Sequence, residues 1–595
     1  MSIARKIGDS ASAVEKITAL LLAGKVRDAL NAARVAAKKF PRDANVLTRL
    51  ADALYMHGDL RDAEKHYRLA LEYDPEIFQA HYGLGSTQRA SGAFSAAAES
   101  FERALAIEPD DPDARIALAG YRFSLGDVDE AIDLNERAAT LPDVDSETEV
   151  KARLEIAKII PGSPKRGNAE ILKARTGWAS LAEKNLRAAQ KKGAKTTKQK
   201  SASSCSKPAS TRFAAAKSKS GAPAQTKLRI AYISAFFGSR NWMKPVFAVV
   251  NEHDRTQFEI HLLRDDETPT PASGYRRHRD DKIHDITGAT NDQAAAIIRK
   301  LGIDVLIDLN GYSYTRRLDL MLRKPAPAQI GWFNMYATTG MRQYDAIIGD
   351  AHVVENEEVP FYSEKIIRVP GTYLAFNVQY EAPDVAPPPC LIAPGRVLTF
   401  GCLAPQYKIA PPVLASWAEI LKASPNTRLI LRNTSLSDSG NRGAVHARFA
   451  NLGVAADRVV LHPPVEHFDF LKTYAEIDVA LDTFPYSGGT TTMEALWQGV
   501  PVLTFDGERW ASRTSKSLLL AARFEDWVMP SREAYIKRAI DLAHSERTPA
   551  MLAALRDGIR WNLLSSAVCD TARLCGELEA IYRKIARRPA TDRHP

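Results

Sequence analysis

The 595-residue sequence predicts an α-helical repeat solenoid followed by two α/β units, each a doubly wound parallel sheet. Three observations predict it. Small residues recur with a fixed period near the start, a long acid-free basic stretch follows, and apolar strand-like runs then alternate with helical ones in two successive series.

Gly24, Gly58, Gly92 and Gly126 are spaced by 34 residues, as are Ala29, Ala63, Ala97 and Ala131, and Pro41, Pro75 and Pro109 keep the same step. Glycine suits the turn after a first helix, alanine a close helix contact, and proline the end of a second helix. Tyr67 with Ala70 and Phe101 with Ala104 fill further repeat positions, from which Ala33 and Asn135 depart. The spacing predicts four helix pairs over residues 10–143 and resembles the tetratricopeptide repeat (TPR). Such solenoids hold extended peptides or partner helices in a concave groove, and a spacer or dimerisation role stays open beside that one.

Residues 144–186, with "AEILKARTGWASLAEKNL", read as a helical connector. Residues 187–226 are rich in Lys, Ser, Ala and Pro, lack apolar periodicity and are expected to be a disordered linker. There is no Asp or Glu between Glu183 and Glu252, so the formal net charge of +9 is concentrated there. A charge confined to one tether argues for solvation rather than for nucleic-acid binding. The sequence has no apolar run of about 18 residues to span a bilayer, and "MSIARKIGDSASAVEKI" has acids but no apolar core of a secretory signal. The cytoplasm is the expected compartment. The five cysteines show no metal-ligand or redox spacing, and Cys569 and Cys575 are expected to be packing residues on a helix.

The first α/β series is "KLRIAYISAFFG", "FEIHLLRDD", "DQAAAIIRKLGI" and "DVLIDLNGYS", placing one unit at 227–390. The second runs from "GRVLTFGCL" through "TRLILRN", "DRVVLHPP" and "DVALDTF" to "VPVLTF", placing another at 395–586 with its closing helices. Those helices either finish the second unit or cross back to the first. Sites in such sheets lie at the carboxyl ends of the strands.

"LDTFPYSGGTTTMEALWQGVPVLTF", Leu481 to Phe505, sets two glycines and three threonines between apolar runs. A Gly-rich turn opening a helix leaves backbone N–H groups for an anionic phosphate. A plain strand–turn–helix corner with a threonine cap fits the same residues.

Taken together, the repeats and the blocks "DVLIDLNGYS", "RKPAPAQIGWF", "YSEKIIRVPGTYL", "YKIAPPVLASWAEIL", "DVALDTFPYSGGTTTMEALWQGVPVLT" and "ASRTSKSLL" resemble the O-GlcNAc transferase and SPINDLY family of nucleotide-sugar glycosyltransferases. "FPYSGGTTT" leans toward its SPINDLY-like bacterial branch. The resemblance implies a GT-B fold of two Rossmann-like domains, inverting transfer from a nucleotide sugar, and no metal or other cofactor. It implies that Gly488 and Gly489 let the backbone approach the diphosphate, that Thr490, Thr491 and Thr492 donate to it, and that Glu494 accepts from ribose hydroxyls. Asp482 is expected to hold the turn. Lys408 matches the family's functional lysine, which neutralises the leaving diphosphate. The family's preceding amide is replaced by Pro405, with Gln406 one place later as the donor-side amide.

Other positions depart from the family. "YISAFFGSRNWMKP" has Phe236 at an acidic position and Arg240 with Asn241 in place of His-Pro, and "GWFNMYATTG" lacks Gly-Tyr-Pro. Arg240 and Lys244 are candidates for an anionic acceptor, or are solvated loop charges. The resulting reading is transfer of GlcNAc from UDP-GlcNAc to Ser/Thr of a protein held in the TPR groove. Fucose from GDP-fucose, a small or glycan acceptor, and a TPR scaffold with an inactive transferase domain are its alternatives. A chain starting near residue 224 is expected to bind nucleotide sugar yet lose transfer to the protein.

Overall fold

The computed structural model describes residues 3–201, 227–238, 243–266, 268–376, 378, 381–392, 395 and 397–587. Its α/β part contains thirteen strands among the described residues. They are β1 Leu228–Ser234, β2 Phe258–Arg264, β3 Lys282–Asp285, β4 Val305–Asp308, β5 Ala328–Gly331, β6 Ala346–Asp350, β7 Lys365–Val369, β8 Leu398–Cys402, β9 Thr427–Arg432, β10 Val459–His462, β11 Val479–Leu481, β12 Val502–Phe505 and β13 Val528–Met529. They build two parallel-strand sheets, β1–β7 and β8–β13. By packing, the chain divides into two compact units, Met1–Ile159 with Val397–Glu466, and Ile160–Arg396 with His467–Pro595. This division cuts across the boundaries suggested by the sequence.

The first unit opens with four helix pairs: Ile3–Leu22 and Val26–Lys39, Ala44–His57 and Leu60–Tyr73, Phe78–Ala90 and Phe94–Ile107, Pro112–Ser124 and Val128–Ala139. The four periodic glycines sit between the helices of each pair with φ between +69° and +94°, a left-handed conformation in which a side chain is strained. The periodic alanines are buried where the helices meet. The periodic aromatics are sized to glycines: a Cβ on Gly83 would lie 2.3 Å from the Tyr67 ring, and one on Gly85 2.9 Å from Phe101.

The same unit holds β10, β9 and β8, side by side in that order and in parallel register, with Gly401 opposite Ile430 and Val459 opposite Leu429. The solenoid is fastened to this α/β segment. Ser95 Oγ donates to Asp438 at 2.9 Å, and the same carboxylate caps helix Ser439–Asn451 through the Asn441 N–H. Arg448 donates to the Leu125 carbonyl at 2.9 Å and pairs with Asp127. A chain beginning near residue 224 would leave these contacts of 397–466 without their solenoid partners.

The second unit carries the seven-stranded sheet in the order β3-β2-β1-β4-β5-β6-β7. Strands β4, β5 and β6 are buried throughout, as parallel strands covered on both faces must be. β1 lies between β2 and β4, so the winding reverses there and the loops after β1 and β4 line a crevice at the sheet's carboxyl edge. Strands β11, β12 and β13 follow one another in parallel within the same unit.

Two sequence expectations change here. Helix Asn168–Ser201 extends past residue 186 into the segment 187–226 expected to be disordered, and the remainder of that segment, 202–226, lies outside the described residues. Ala, Lys, Gln and Arg are good helix formers, so this composition sustains a helix by propensity without an apolar stripe. The open question of the closing helices is also resolved. Thr571–Ala586 crosses back to the first sheet, where Tyr582 Oη lies 3.2 Å from Tyr232 Oη of β1 and the Arg583 guanidinium sits 4.6 Å over the Phe258 ring.

Candidate functional site

In the first unit, β8 runs out into the short turn Gln406–Lys408, which leads through Ile409 to helix Pro411–Ala423. Prolines at the start of that helix lack only N–H groups that would be unpaired there anyway. Gln406 is buried, and its Oε1 accepts from Asn433 Nδ2 at 3.1 Å. Its Nε2 has no acceptor among the described residues, leaving a buried donor in the turn. Lys408 is half-buried. The turn rests on the solenoid's fourth repeat: Tyr407 stacks on Phe123 at 5.0 Å and 22°, and a Cβ on Gly126 would lie 2.4 Å from the Ile409 carbonyl oxygen. Gly126 thus serves both the repeat turn and the seat of Lys408, a link no repeat pattern reveals.

In the second unit, the chain leaves β11 at Asp482, loops through Ser487–Gly489 and enters helix Thr490–Trp497. The fully buried Asp482 carboxylate closes this loop, accepting from the Gly488 N–H and from the Thr504 hydroxyl of β12, each at 2.7 Å. Burial pushes its carboxyl above the usual range, while those bonds favour the ionised form. Helix Trp510–Ala521, which carries "ASRTSKSLL", braces the loop from behind, where Ser515 Oγ donates to the Gly488 carbonyl at 3.2 Å. Gly488 is required by close approach, since a Cβ there would lie 2.3 Å from Thr492 Oγ1.

The threonine cluster divides. Thr490 and Thr491 are half-exposed at the helix start, whereas Thr492 is buried with its hydroxyl 2.8 Å from Ser515 Oγ. At 3.6 residues per turn, two positions carry a side chain to the opposite face. The structure thus leaves Gly489, Thr490 and Thr491 partly exposed at the helix start and gives Thr492 to the helix packing.

Glu494 is buried one turn into this helix, and its Oε1 is 2.8 Å from His467 Nε2. Lys244, at the start of helix Lys244–Val250, is also buried, which pushes its ammonium down to about 7 against the opposing pull of Glu494. Of the two readings offered for Lys244, the solvated loop charge is the one its burial at the start of this helix excludes. His467 opens the run "HFDFLKTYAEI", three residues after "DRVVLHPP", and nothing in the spacing paired it with Glu494. Arg240 and Asn241 lie outside the described residues. Phe236 points an aromatic edge at Tyr314, with centroids 6.1 Å apart, where the family pattern has an acid.

Four residues in this unit, Arg175, Tyr312, Tyr336 and Tyr486, meet with no signal of it in the sequence. Arg175, from the long connector helix, is buried with its guanidinium 4.0 Å over the Tyr312 ring and 5.3 Å from Tyr336. Tyr336, from "GWFNMYATTG", packs its ring 5.0 Å from that of Tyr486 in the "FPYSGG" loop. The loop that departs from the family pattern at "GWFNMYATTG" therefore meets the glycine loop through two aromatic rings.

A solenoid of paired helices and two parallel-strand sheets, with a braced glycine–threonine helix start, define the class as a repeat-bearing α/β protein. Comparison with known sequences places it further. The profile of glycosyl transferase family 41 matches residues 189–381 and 392–578, and tetratricopeptide repeat profiles match 14–76, 48–112 and 88–147. The chain belongs to glycosyl transferase family 41. It is similar to a solved O-GlcNAc transferase of Thermobaculum terrenum in a mutant form, at 28% identity and a TM-score of 0.74, covering 92% of this chain and 97% of that one. It is 30% identical over 369 residues to a probable UDP-N-acetylglucosamine–peptide N-acetylglucosaminyltransferase SPINDLY of Solanum lycopersicum, covering 61% of this chain and 39% of that protein. The counterpart of Oryza sativa is 33% identical over 305 residues, covering 51% and 32%. The chain thus spans well under half the length of these plant relatives. No helix among the described residues is long and apolar enough to cross a membrane.

Proposed function

We propose that this chain is an inverting glycosyltransferase that moves N-acetylglucosamine from UDP-GlcNAc to a Ser or Thr hydroxyl of a protein held by the TPR groove. The observation that carries the reading is the partly exposed helix start at Gly489–Thr491, followed one turn later by the buried Glu494 and its half-buried partner His467. In this reading the N–H groups and hydroxyls of Thr490 and Thr491 take the diphosphate, and Glu494 accepts from the ribose. The acceptor hydroxyl attacks the anomeric carbon from the face opposite the diphosphate, and the Lys408 ammonium neutralises the charge that grows on the leaving group. Gln406 offers its buried amide to the same group. The protein would work in the cytoplasm, where nucleotide sugars are at hand.

Co-expression with candidate acceptor proteins, followed by intact-mass analysis, tests the reading. The expected result is the mass of one or more N-acetylhexosamines on the acceptor. A hexose or deoxyhexose overturns the donor assignment, and an acceptor left unmodified by every donor supplied overturns the enzyme reading.

Two further outcomes follow from the same chemistry. Turnover survives EDTA, because backbone donors and Lys408 carry the diphosphate without a metal; complete loss restored by Mg²⁺ or Mn²⁺ would contradict this. Glu494→Ala raises the donor KM about 10-fold or more, the worth of hydrogen bonds to a charged group. Initial rates against donor concentration measure it, and an unchanged KM removes the ribose role.

A further inference from the structure

We propose that His253, Cys575 and Glu579 form a site for one thiophilic divalent cation of the zinc type, which clamps the C-terminal helix to the first sheet. Cys575 and Glu579 are one turn apart on helix Thr571–Ala586, and His253 follows helix Lys244–Val250. All three are buried.

The geometry suits a cation. His253 Nδ1 is 3.0 Å from Glu579 Oε1 and 3.3 Å from Cys575 Sγ, and Sγ is 4.0 Å from the same Oε1. A point equidistant from these three atoms lies about 2.0 Å from each, against zinc bonds of about 2.0–2.3 Å to N, O and S ligands. A cation slightly above that plane keeps all three bonds and leaves a fourth position for water. The charges also balance, since one thiolate, one carboxylate and a neutral imidazole cancel a dication in a place where net charge is costly.

The surrounding groups are those that orient ligands in metal sites. Tyr232 Oη lies 2.8 Å from His253 Nε2 and 3.2 Å from Tyr582 Oη. With a cation on Nδ1, Nε2–H donates to Tyr232 Oη, whose own O–H donates to Tyr582 Oη. The Asp254 N–H donates to Glu579 Oε1 at 2.9 Å and fixes the carboxylate. On binding, the Cys575 thiol proton leaves to solvent and an S–metal bond replaces it. Without a cation, Nδ1–H is committed to Glu579 and cannot also accept from the Cys575 thiol, so the cysteine is left with the weaker 4.0 Å approach to the carboxylate.

The test uses the full-length protein, dialysed against a chelator and then titrated with Co²⁺ alone. One equivalent is expected to bind per chain, with near-ultraviolet thiolate-to-cobalt absorption and the visible bands of a four-coordinate site, both erased by Zn²⁺. Cys575→Ser, nearly isosteric, should keep the metal-free melting temperature and lose the near-ultraviolet band. Tyr232→Phe should weaken binding about 10-fold or more, the effect of removing an outer partner of a ligand. Zn²⁺ should raise the melting temperature of the wild type but not of Cys575→Ser. Absence of stoichiometric binding by the wild type, or a thiolate band that persists in Cys575→Ser, overturns the site and leaves the three side chains as a hydrogen-bonded packing cluster.

Discussion

Lys408→Ala is expected to lower kcat by about two orders of magnitude or more, the loss seen when one preorganised electrostatic donor is removed. The contribution belongs to the transition state, because the diphosphate gains charge only as the sugar leaves. Donor KM should change little by comparison. The melting temperature should hold, since Lys408 is half-buried in a turn whose seat is made by Tyr407 on Phe123 and by Ile409 on Gly126. Lys408→Arg should rescue poorly, because a planar fork does not take the place of a compact ammonium. Sugar transfer by wild type and both variants, with thermal melts as the folding control, decides it. Full turnover by Lys408→Ala would remove the lysine from the chemistry.

Gly126→Ala is expected to combine a stability loss with a loss of turnover, although it lies in a helical repeat. Two costs add there. A side chain at φ +93° is strained, and its Cβ meets the Ile409 carbonyl oxygen at 2.4 Å, a backbone atom that can yield only by moving the Lys408 turn. Left-handed strain and overpacking each cost about 1–3 kcal/mol, so a total of roughly 2–6 kcal/mol is expected. Gly92→Ala is the internal control. Its φ is +84° and a Cβ there has nothing within 4 Å, so the variant should lose about 1–2 kcal/mol of stability to strain and leave kcat unchanged. Denaturant melts and initial rates on both variants separate the effects. Equal kcat values for the two would show that the solenoid does not position the Lys408 turn.

The repeats were legible because their signal is local and periodic. A turn that needs positive φ selects glycine every 34 residues, and a close helix contact selects alanine at a fixed offset, so position alone carries the information. The parallel strands were legible for a similar reason, as short apolar runs such as "AYIS" and "VLID" are buried on both faces. The connector helix was underestimated past residue 186 because burial was taken as the measure of structure, whereas Ala, Lys and Gln hold a helix by propensity.

By itself, the sequence determined the solenoid, the two parallel sheets, the family blocks and the identity of the residues that stand at the glycine–threonine helix start and the Lys408 turn. What they touch was decided only by the tertiary structure. The helical repeat angle sends Thr492 inward to Ser515 and leaves Thr490 and Thr491 outside. Packing sets Gly126 under Ile409, Lys244 within the electrostatic reach of Glu494, and Glu494 against His467. The clearest case is Cys575, read from its spacing as an ordinary packing residue. Its neighbour Glu579 is one helical turn away and could be foreseen, but His253 arrives from 322 positions upstream because the C-terminal helix crosses back to the first sheet. Spacing rules see ligands that share a segment; a crossing helix joins groups whose separation along the chain carries no information about their distance in space.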